Sequence, residues 1–117
     1  MKLVTAIIRD NKYYETKAAL LEQNFFSLNT YRVLGRGKEQ QNYAVNKSDV
    51  RNSTIRCPFV SKRIIEIYIE EKNVDRLVET ILRVNQTGNK GDGKIFITPL
   101  DEAIRIRTNE TGIEALA

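Results

Sequence analysis

The 117-residue chain has no histidine, no tryptophan, a single cysteine and two prolines. Without histidine, Ser-His-Asp and Cys-His catalysis are excluded, and so is a Cys/His zinc site. Cys57 has no second cysteine to pair with inside the chain. No apolar run approaches the ~20 residues of a membrane span. Met1-Lys2-Leu3-Val4-Thr5-Ala6 passes straight into alternating sequence, with no apolar core before a cleavage site, which predicts a cytoplasmic protein. Nineteen Lys plus Arg against fifteen Asp plus Glu leave a net charge of +4, but the longest uninterrupted basic run is Lys62-Arg63. Charge this dispersed makes no polybasic arm for nucleic acid.

What is present points to a small globular unit. Hydrophobic residues at 41% and charged residues at 29% exclude wholesale disorder. The length suits one domain, 1–117. Residues 2–9 are short and β-branched and read as a strand. Asp10 or Asn11 is positioned to cap a following helix, with Glu15 in its early turns and Asn24 at its end. Tyr14, Ala18, Leu21 and Phe25 recur at helical spacing and predict its buried stripe. From 27 to 36, Leu28, Thr30, Arg32 and Leu34 alternate with Asn29, Tyr31 and Val33, a strand closed by Gly35.

Residues 37–58 are polar, amide-rich and aperiodic, a loop long enough to be functional and the expected place of partner contacts. Order resumes at Lys62. Ile65, Ile67 and Ile69 point one way, while Lys62, Ile64, Glu66, Tyr68 and Glu70 point the other. Asn73 is expected to cap a second helix, with Val74, Leu77, Val78, Ile81 and Leu82 at i, i+3, i+4, i+7 and i+8. A glycine loop spans 87–93, a strand spans 94–98, a turn opens at Asp101-Glu102, and 104–107 alternates as a short last strand. Residues 109–117 are expected to be a mobile tail.

Strand–helix–strand therefore occurs twice, joined by the long loop. That is the order of an α+β, ferredoxin-like split βαβ domain (βαββαβ) with a short C-terminal strand added. Both helices would cover one face of a four-stranded sheet. The other face, with Lys62, Ile64, Glu66 and Tyr68 or the opposite set, keeps large apolar groups and is expected to pack on another subunit.

Gly88-Asn89-Lys90-Gly91-Asp92-Gly93-Lys94 fits G-x-x-x-x-G-K, but Ile95 stands where a P-loop has Ser or Thr, and helix leads to strand instead of the reverse. Closely spaced glycines still bring backbone N–H groups near an anion, and Lys94 adds a charge. Arg105 and Arg107, two apart on a strand, would project to one side, and with Lys94 they favour a polyphosphate site. Gly35-Arg36-Gly37 reads as a bend. Cys57 beside Pro58 reads as a loop thiol, Asp101-Glu102 as a cap, and Tyr43, Ser48 and Ser53 as ordinary loop residues. A small phosphotransfer or hydrolytic enzyme would need a base or nucleophile at the glycine loop, and no obvious one stands there. An RNA-binding sheet face would need several aromatics, where Tyr68 is the clear one.

Residues 87–100 followed by Ile104-Arg105-Ile106-Arg107-Thr108 resemble the C-terminal signature of the PII signal-transduction proteins. The resemblance extends to Ala6-Ile7-Ile8-Arg9, to Val33-Leu34-Gly35-Arg36-Gly37-Lys38 and to Lys62. It implies a non-catalytic homotrimer with ATP or ADP in the clefts between subunits, and a T-loop at about 37–58 that inserts into target proteins. Gly91, Asp92, Gly93 and Lys94 match the loop that wraps the phosphates, and Arg105 and Arg107 match arginines offered by the neighbouring subunit. Ile7, Gly35, Gly37 and Lys38 match positions around the nucleotide, Glu66 one near the adenine, and Lys62 the lysine that pairs with 2-oxoglutarate.

Where the family has a glutamine that ligates magnesium beside ATP and 2-oxoglutarate, this chain has Glu39, with Gln40 next. Both are candidates for metal and effector, and both offer oxygen. The tyrosine-centred tip uridylylated in enterobacterial members is missing, and Val60-Ser61-Lys62 replaces the usual Leu-Pro-Lys. The wording at 33–38 and 84–89 is most similar to the nitrogen-fixation branch. That likeness implies inhibition of nitrogenase, relieved by 2-oxoglutarate, often with a sister PII protein. The alternative targets are an ammonium channel or glutamine synthetase.

Overall fold

The computed structural model describes residues 1–37, 41–44, 54–57 and 59–116, with 41–44 and 54–57 described as backbone. Strand β1 (Lys2–Arg9) leads through a 3-10 turn (Asp10–Lys12) into helix α1 (Tyr13–Glu22) and strand β2 (Asn29–Gly35). Strands β3 (Gln41–Ala44) and β4 (Thr54–Cys57) follow. Then β5 (Val60–Ile69), a second 3-10 turn (Glu71–Asn73), helix α2 (Val74–Asn85) and β6 (Lys94–Pro99) repeat the first half. The main sheet has the order β2-β5-β1-β6, every pair antiparallel. This is the expected ferredoxin-like α+β fold.

The register explains which face is buried. Val4, Ala6 and Ile8 stand opposite Ile67, Ile65 and Arg63 across β1 and β5, and Ile95 and Ile97 lie opposite Ala6 and Val4 on β6. The helices bring Leu20, Leu77 and Ile81 onto this layer, and Ile8, Leu20, Ile65, Leu77 and Ile81 are almost wholly shielded from solvent. Each such side chain contributes roughly 1.5–3 kcal/mol through burial. Ile65, Ile67 and Ile69 point inward, as their spacing predicts, so the set on the open face is Lys62, Ile64, Glu66 and Tyr68.

Helix α2 buries Val74, Leu77 and Ile81, with Val78 packed against the core and Leu82 largely exposed. Helix α1 departs from expectation. Tyr14 is 74% exposed and Leu21 48%, while Tyr13, Thr16, Ala19 and Leu20 face the core. The 3-10 turn delays the helix start to Tyr13, and the inward set includes a polar residue, which obscured the stripe. The Thr16 hydroxyl donates to the Lys12 carbonyl and accepts from the Asn85 amide, so burial leaves it satisfied. Phe25 is buried as expected, but from beyond the helix, where Asn24 adopts φ 65. No side chain caps either helix; the cap positions are Lys12 and Asn73. Asp10 instead accepts the Ser61 hydroxyl and lies near Arg32 and Arg63.

Three further expectations are corrected. Within 37–58, β3 and β4 pair from Gln41 opposite Cys57 to Ala44 opposite Thr54, in a sheet separate from the main one. A ribbon standing apart from the main sheet needs no apolar alternation to set its backbone ladder, so the sequence carried no such signal. Lys38, Glu39, Gln40, Ser48, Ser53 and Pro58, and the side chains of Tyr43 and Cys57, lie outside the described residues. The strand expected at 104–107 is a single bridge between Ile104 and Thr111, after which the chain turns at 106–108. The tail expected from 109 carries a 3-10 helix (Gly112–Leu116) instead. The alternation misled because Ile104 and Ile106 do not face a core; Ile106 is 96% exposed.

Candidate functional site

The open face of the sheet is organised in rows, because directly paired residues of antiparallel strands share a side. Val33, Lys62 and Arg9 form one row. Tyr31, Ile64, Ile7 and Lys94 form the next, and Asn29, Glu66, Thr5 and Phe96 a third, followed by Tyr68, Leu3 and Thr98. The three cations Arg9, Lys62 and Lys94 therefore gather at the end of the sheet from which the glycine loop enters β6.

That loop is tied from two sides. Its own staple is Asp92, whose Oδ2 accepts the backbone N–H of Thr87 at 2.8 Å and of Gly88 at 3.0 Å, while Oδ1 accepts the Thr87 hydroxyl at 2.5 Å. Arg9 Nη1 reaches the same Oδ1 at 2.6 Å. The Thr87 hydroxyl and amide, ahead of Arg9 and Gly88, hold the Asp92 carboxyl well below the usual carboxylate range. The second tie comes from the sheet. Arg9 Nη2 donates to the Lys90 carbonyl at 2.9 Å, and Lys62 Nζ donates to the Gly91 carbonyl at 2.6 Å. Arg9 and Lys62 are directly opposed across β1 and β5. Burial, and then the charge of Arg9, push the Lys62 ammonium down from its ordinary value, against the pull of Asp92.

Gly93 is the position where only glycine fits. Its φ is +106, and a Cβ there would stand 1.7 Å from the Ile7 carbonyl oxygen. The loop thus lies directly against β1, beside a cleft of about 400 Å³ lined by Ile7, Ile81, Asn85, Asp92, Gly93 and Lys94, among others. The cleft walls are mostly apolar, from α2 and the inward side of β1 and β6, with the glycine turn at one end.

The structure brings Ile7, Asp92, Gly93 and Lys94 together around this cleft, with Lys62 gripping the loop beside it at Gly91. The Lys94 side chain is exposed and has no ion-pair partner among the described residues. Glu66 sits on the open face and accepts the Tyr31 hydroxyl at 2.6 Å, a bond that raises the tyrosine's ionisation point. Gly35 closes β2 and Gly37 lies just past it.

Arg105 and Arg107 do not line the cleft, and they do not project side by side from a strand. Arg105 is turned into the C-terminal segment, with Nη1 on Glu110 Oε1 at 2.8 Å and Nη2 on the Glu114 carbonyl at 3.0 Å, while Arg107 is exposed on the turn. Sequence reasoning missed Arg9, Tyr31 and Glu110. Arg9 had a usable signal, since it lies two residues from Ile7 at the end of an alternating strand. Among the described residues, no cluster of three or more His, Cys, Asp or Glu could hold a metal, and no helix is long and apolar enough to cross a membrane.

The profile of the family described as nitrogen regulatory protein P-II matches residues 1–110. The chain is 43% identical to "Nitrogen fixation nifHD region GlnB-like protein 2" of Methanothermobacter marburgensis, covering 99% of this chain and all of that protein. It is 36% identical to the protein of the same name from Methanobacterium ivanovii, with 99% of each covered. Nitrogen regulatory protein P-II 2 of Methanothermobacter thermautotrophicus is 40% identical over 99% of this chain and 97% of its own. Among solved structures, Arabidopsis thaliana PII bound to citrate superposes with a TM-score of 0.75 at 30% identity, covering 98% of this chain and 88% of that one.

Proposed function

The chain belongs to the nitrogen regulatory protein P-II family, and from that membership we propose that it is a homotrimeric sensor of ATP, ADP and 2-oxoglutarate acting through residues 37–58, its T-loop. The whole of 1–117 works as one signalling domain that binds and does not catalyse. The observation that carries this reading is the double grip of Arg9 and Lys62 on the glycine loop.

Two opposed cations share one short stretch of carbonyls and one carboxylate, and the Lys62 ammonium is already disfavoured by burial and by its neighbour. An arriving dicarboxylate neutralises that excess charge, so 2-oxoglutarate finds a receptor that gains from its binding. Gly91, Gly93 and Lys94 seat the phosphates with Asp92 keeping the loop in shape, and Ile7, Gly35, Gly37, Lys38 and Glu66 surround the nucleoside. Arg105 and Arg107 meet the phosphates from the next subunit. Magnesium would be held by Glu39 and Gln40, which offer the oxygen donors it prefers, and would offset the negative charge of the nucleotide and the effector.

Lys62 stands at the C-terminal base of the T-loop and Gly35 at its N-terminal base. Ligand at these positions therefore biases the loop between states that differ in their grip on a target. A coupling of ~1–3 kcal/mol between the sites would change target affinity ~5–150-fold. The relatives named for the nifHD region support nitrogenase as the target, inhibited when fixed nitrogen is plentiful, with a sister PII protein as partner. An ammonium channel or glutamine synthetase is the alternative, and the cytoplasm is where all of these would be met.

Titration calorimetry tests the phosphate site. Lys94→Ala and Arg105→Ala should each weaken ATP binding by about tenfold, and unaltered ATP affinity in both rejects it. Recovery of bound proteins with and without 2-oxoglutarate then separates the targets: nitrogenase retained only without the effector supports the leading reading, and retention of the channel or the synthetase alone replaces it.

A further inference from the structure

We infer that Glu110 is a positioning residue for Arg105, fixing the guanidinium in the orientation from which it meets nucleotide phosphates. This rests on the nucleotide reading above and adds to it a residue outside the phosphate loop.

Arg105 is not a loose surface arginine. Its backbone N–H donates to the Glu110 carbonyl at 2.8 Å, and its own carbonyl accepts the Asn109 N–H at 2.8 Å, with Asn109 at φ 64. The Ile104–Thr111 bridge and the Gly112 N–H on the Ala103 carbonyl, 2.9 Å, close the segment around it. The side chain is held as firmly. Nη1 donates to Glu110 Oε1 and Nη2 to the Glu114 carbonyl, which fixes both the direction and the roll of the planar fork.

Glu110 is itself held: the Thr108 hydroxyl donates to the same Oε1 at 2.7 Å. That hydroxyl, and then the charge of Arg105, keep the Glu110 carboxyl ionised below its ordinary range despite partial burial. A loose arginine loses rotamer freedom on meeting a phosphate, whereas one already held in place loses less. Arg107, exposed on the turn two residues on and with no ion-pair partner among the described residues, lacks this support. Only one of the two arginines is therefore preorganised, by a carboxylate five residues further along the chain.

The test is a double-mutant cycle read by calorimetry with ATP, and with adenosine as the phosphate-free control. Glu110→Ala should weaken ATP about tenfold and leave adenosine binding unchanged, and Glu110→Gln, which keeps an acceptor oxygen, should recover most of the loss. In an Arg105→Ala background, Glu110→Ala should add nothing, because its effect passes through that guanidinium. ATP affinity within twofold of wild type in Glu110→Ala overturns the inference, and so does an equal loss with and without Arg105, which would mark a merely structural role. A wild-type protein that does not bind ATP, or an Arg105→Ala protein that binds it undiminished, overturns the nucleotide reading at Arg105 and the inference with it.

Discussion

Asp92 accepts four hydrogen bonds on two oxygens, three of them from the start of its own loop and one from Arg9. Its carboxylate therefore shapes the loop before any ligand arrives. Asp92→Asn should speed hydrogen exchange at the Thr87 and Gly88 amides, and unchanged rates would remove the staple from the account. The pH dependence has a definite sign. A carboxyl whose folded pKa is depressed stabilises the protein fully above its unfolded value, about 3.9, and loses that contribution as pH falls toward the lower folded value. The stability gap between wild type and Asp92→Asn should be flat above about pH 5 and shrink below about pH 4. A gap that widens on acidification contradicts the assignment. Lys62→Met removes the second grip on the loop and the charge proposed to meet a dicarboxylate. In the presence of Mg-ATP it should lower 2-oxoglutarate affinity at least about tenfold by calorimetry, and an undiminished response would move the effector elsewhere.

At the scale of elements, the glycine loop and β1 are joined by a backbone contact that tolerates no side chain. Gly93→Ala would drive a Cβ into the Ile7 carbonyl at a φ of +106, which should cost at least about 2 kcal/mol in denaturant unfolding. Gly35→Ala meets nothing within 4 Å and should stay within about 0.5 kcal/mol. Helix α1 offers the matching test of its rotation. Leu20 is fully buried and Leu21 is half exposed, so Leu20→Ala should cost about 2–5 kcal/mol and Leu21→Ala under about 1 kcal/mol. The reverse order would restore the stripe through Tyr14, Ala18 and Leu21.

For the molecule as a whole, the decisive surface is the sheet face that no helix covers. Tyr31, Ile64 and Ile7 lie in one row, Phe96 in the next and Tyr68 beyond it. Tyr31, Tyr68 and Phe96 are each more than two fifths exposed. An apolar area of this kind on a single chain calls for a partner, and the proposed trimer supplies one from identical copies. Sedimentation should give a species of three 13.5 kDa chains. Ile64→Glu, placing a charge mid-row, should shift it to single chains, and a trimer that survives the substitution would place the interface on another face.

The strands β1 and β5, the helix α2 and the sidedness of β5 were legible in the sequence, because each has one face against the core and period 2 or 3.6 reports that directly. Strands β2 and β6, largely exposed in the single chain, were legible from alternation before Gly35 and from the β-branched residues after the glycine loop. The glycine loop and its lysine were legible too, as a residue pattern. Periodicity missed the ribbon of β3 and β4, whose polar sequence carries no alternation, and it misled where burial is irregular: at the delayed start of α1 with its satisfied Thr16, and at 104–107, where two exposed isoleucines imitate a strand. Tertiary structure alone decided that Arg9 and Lys62 hold the glycine loop from the sheet, whereas the bonds of Asp92 to its own loop and of Arg105 to Glu110 are local contacts that no hydrophobic period reports. Arg9 and Asp92 are 83 residues apart, Lys62 and Gly91 29 apart. Such partners meet only because the chain order β2-β5-β1-β6 delivers them to one corner, and no local pattern encodes that meeting.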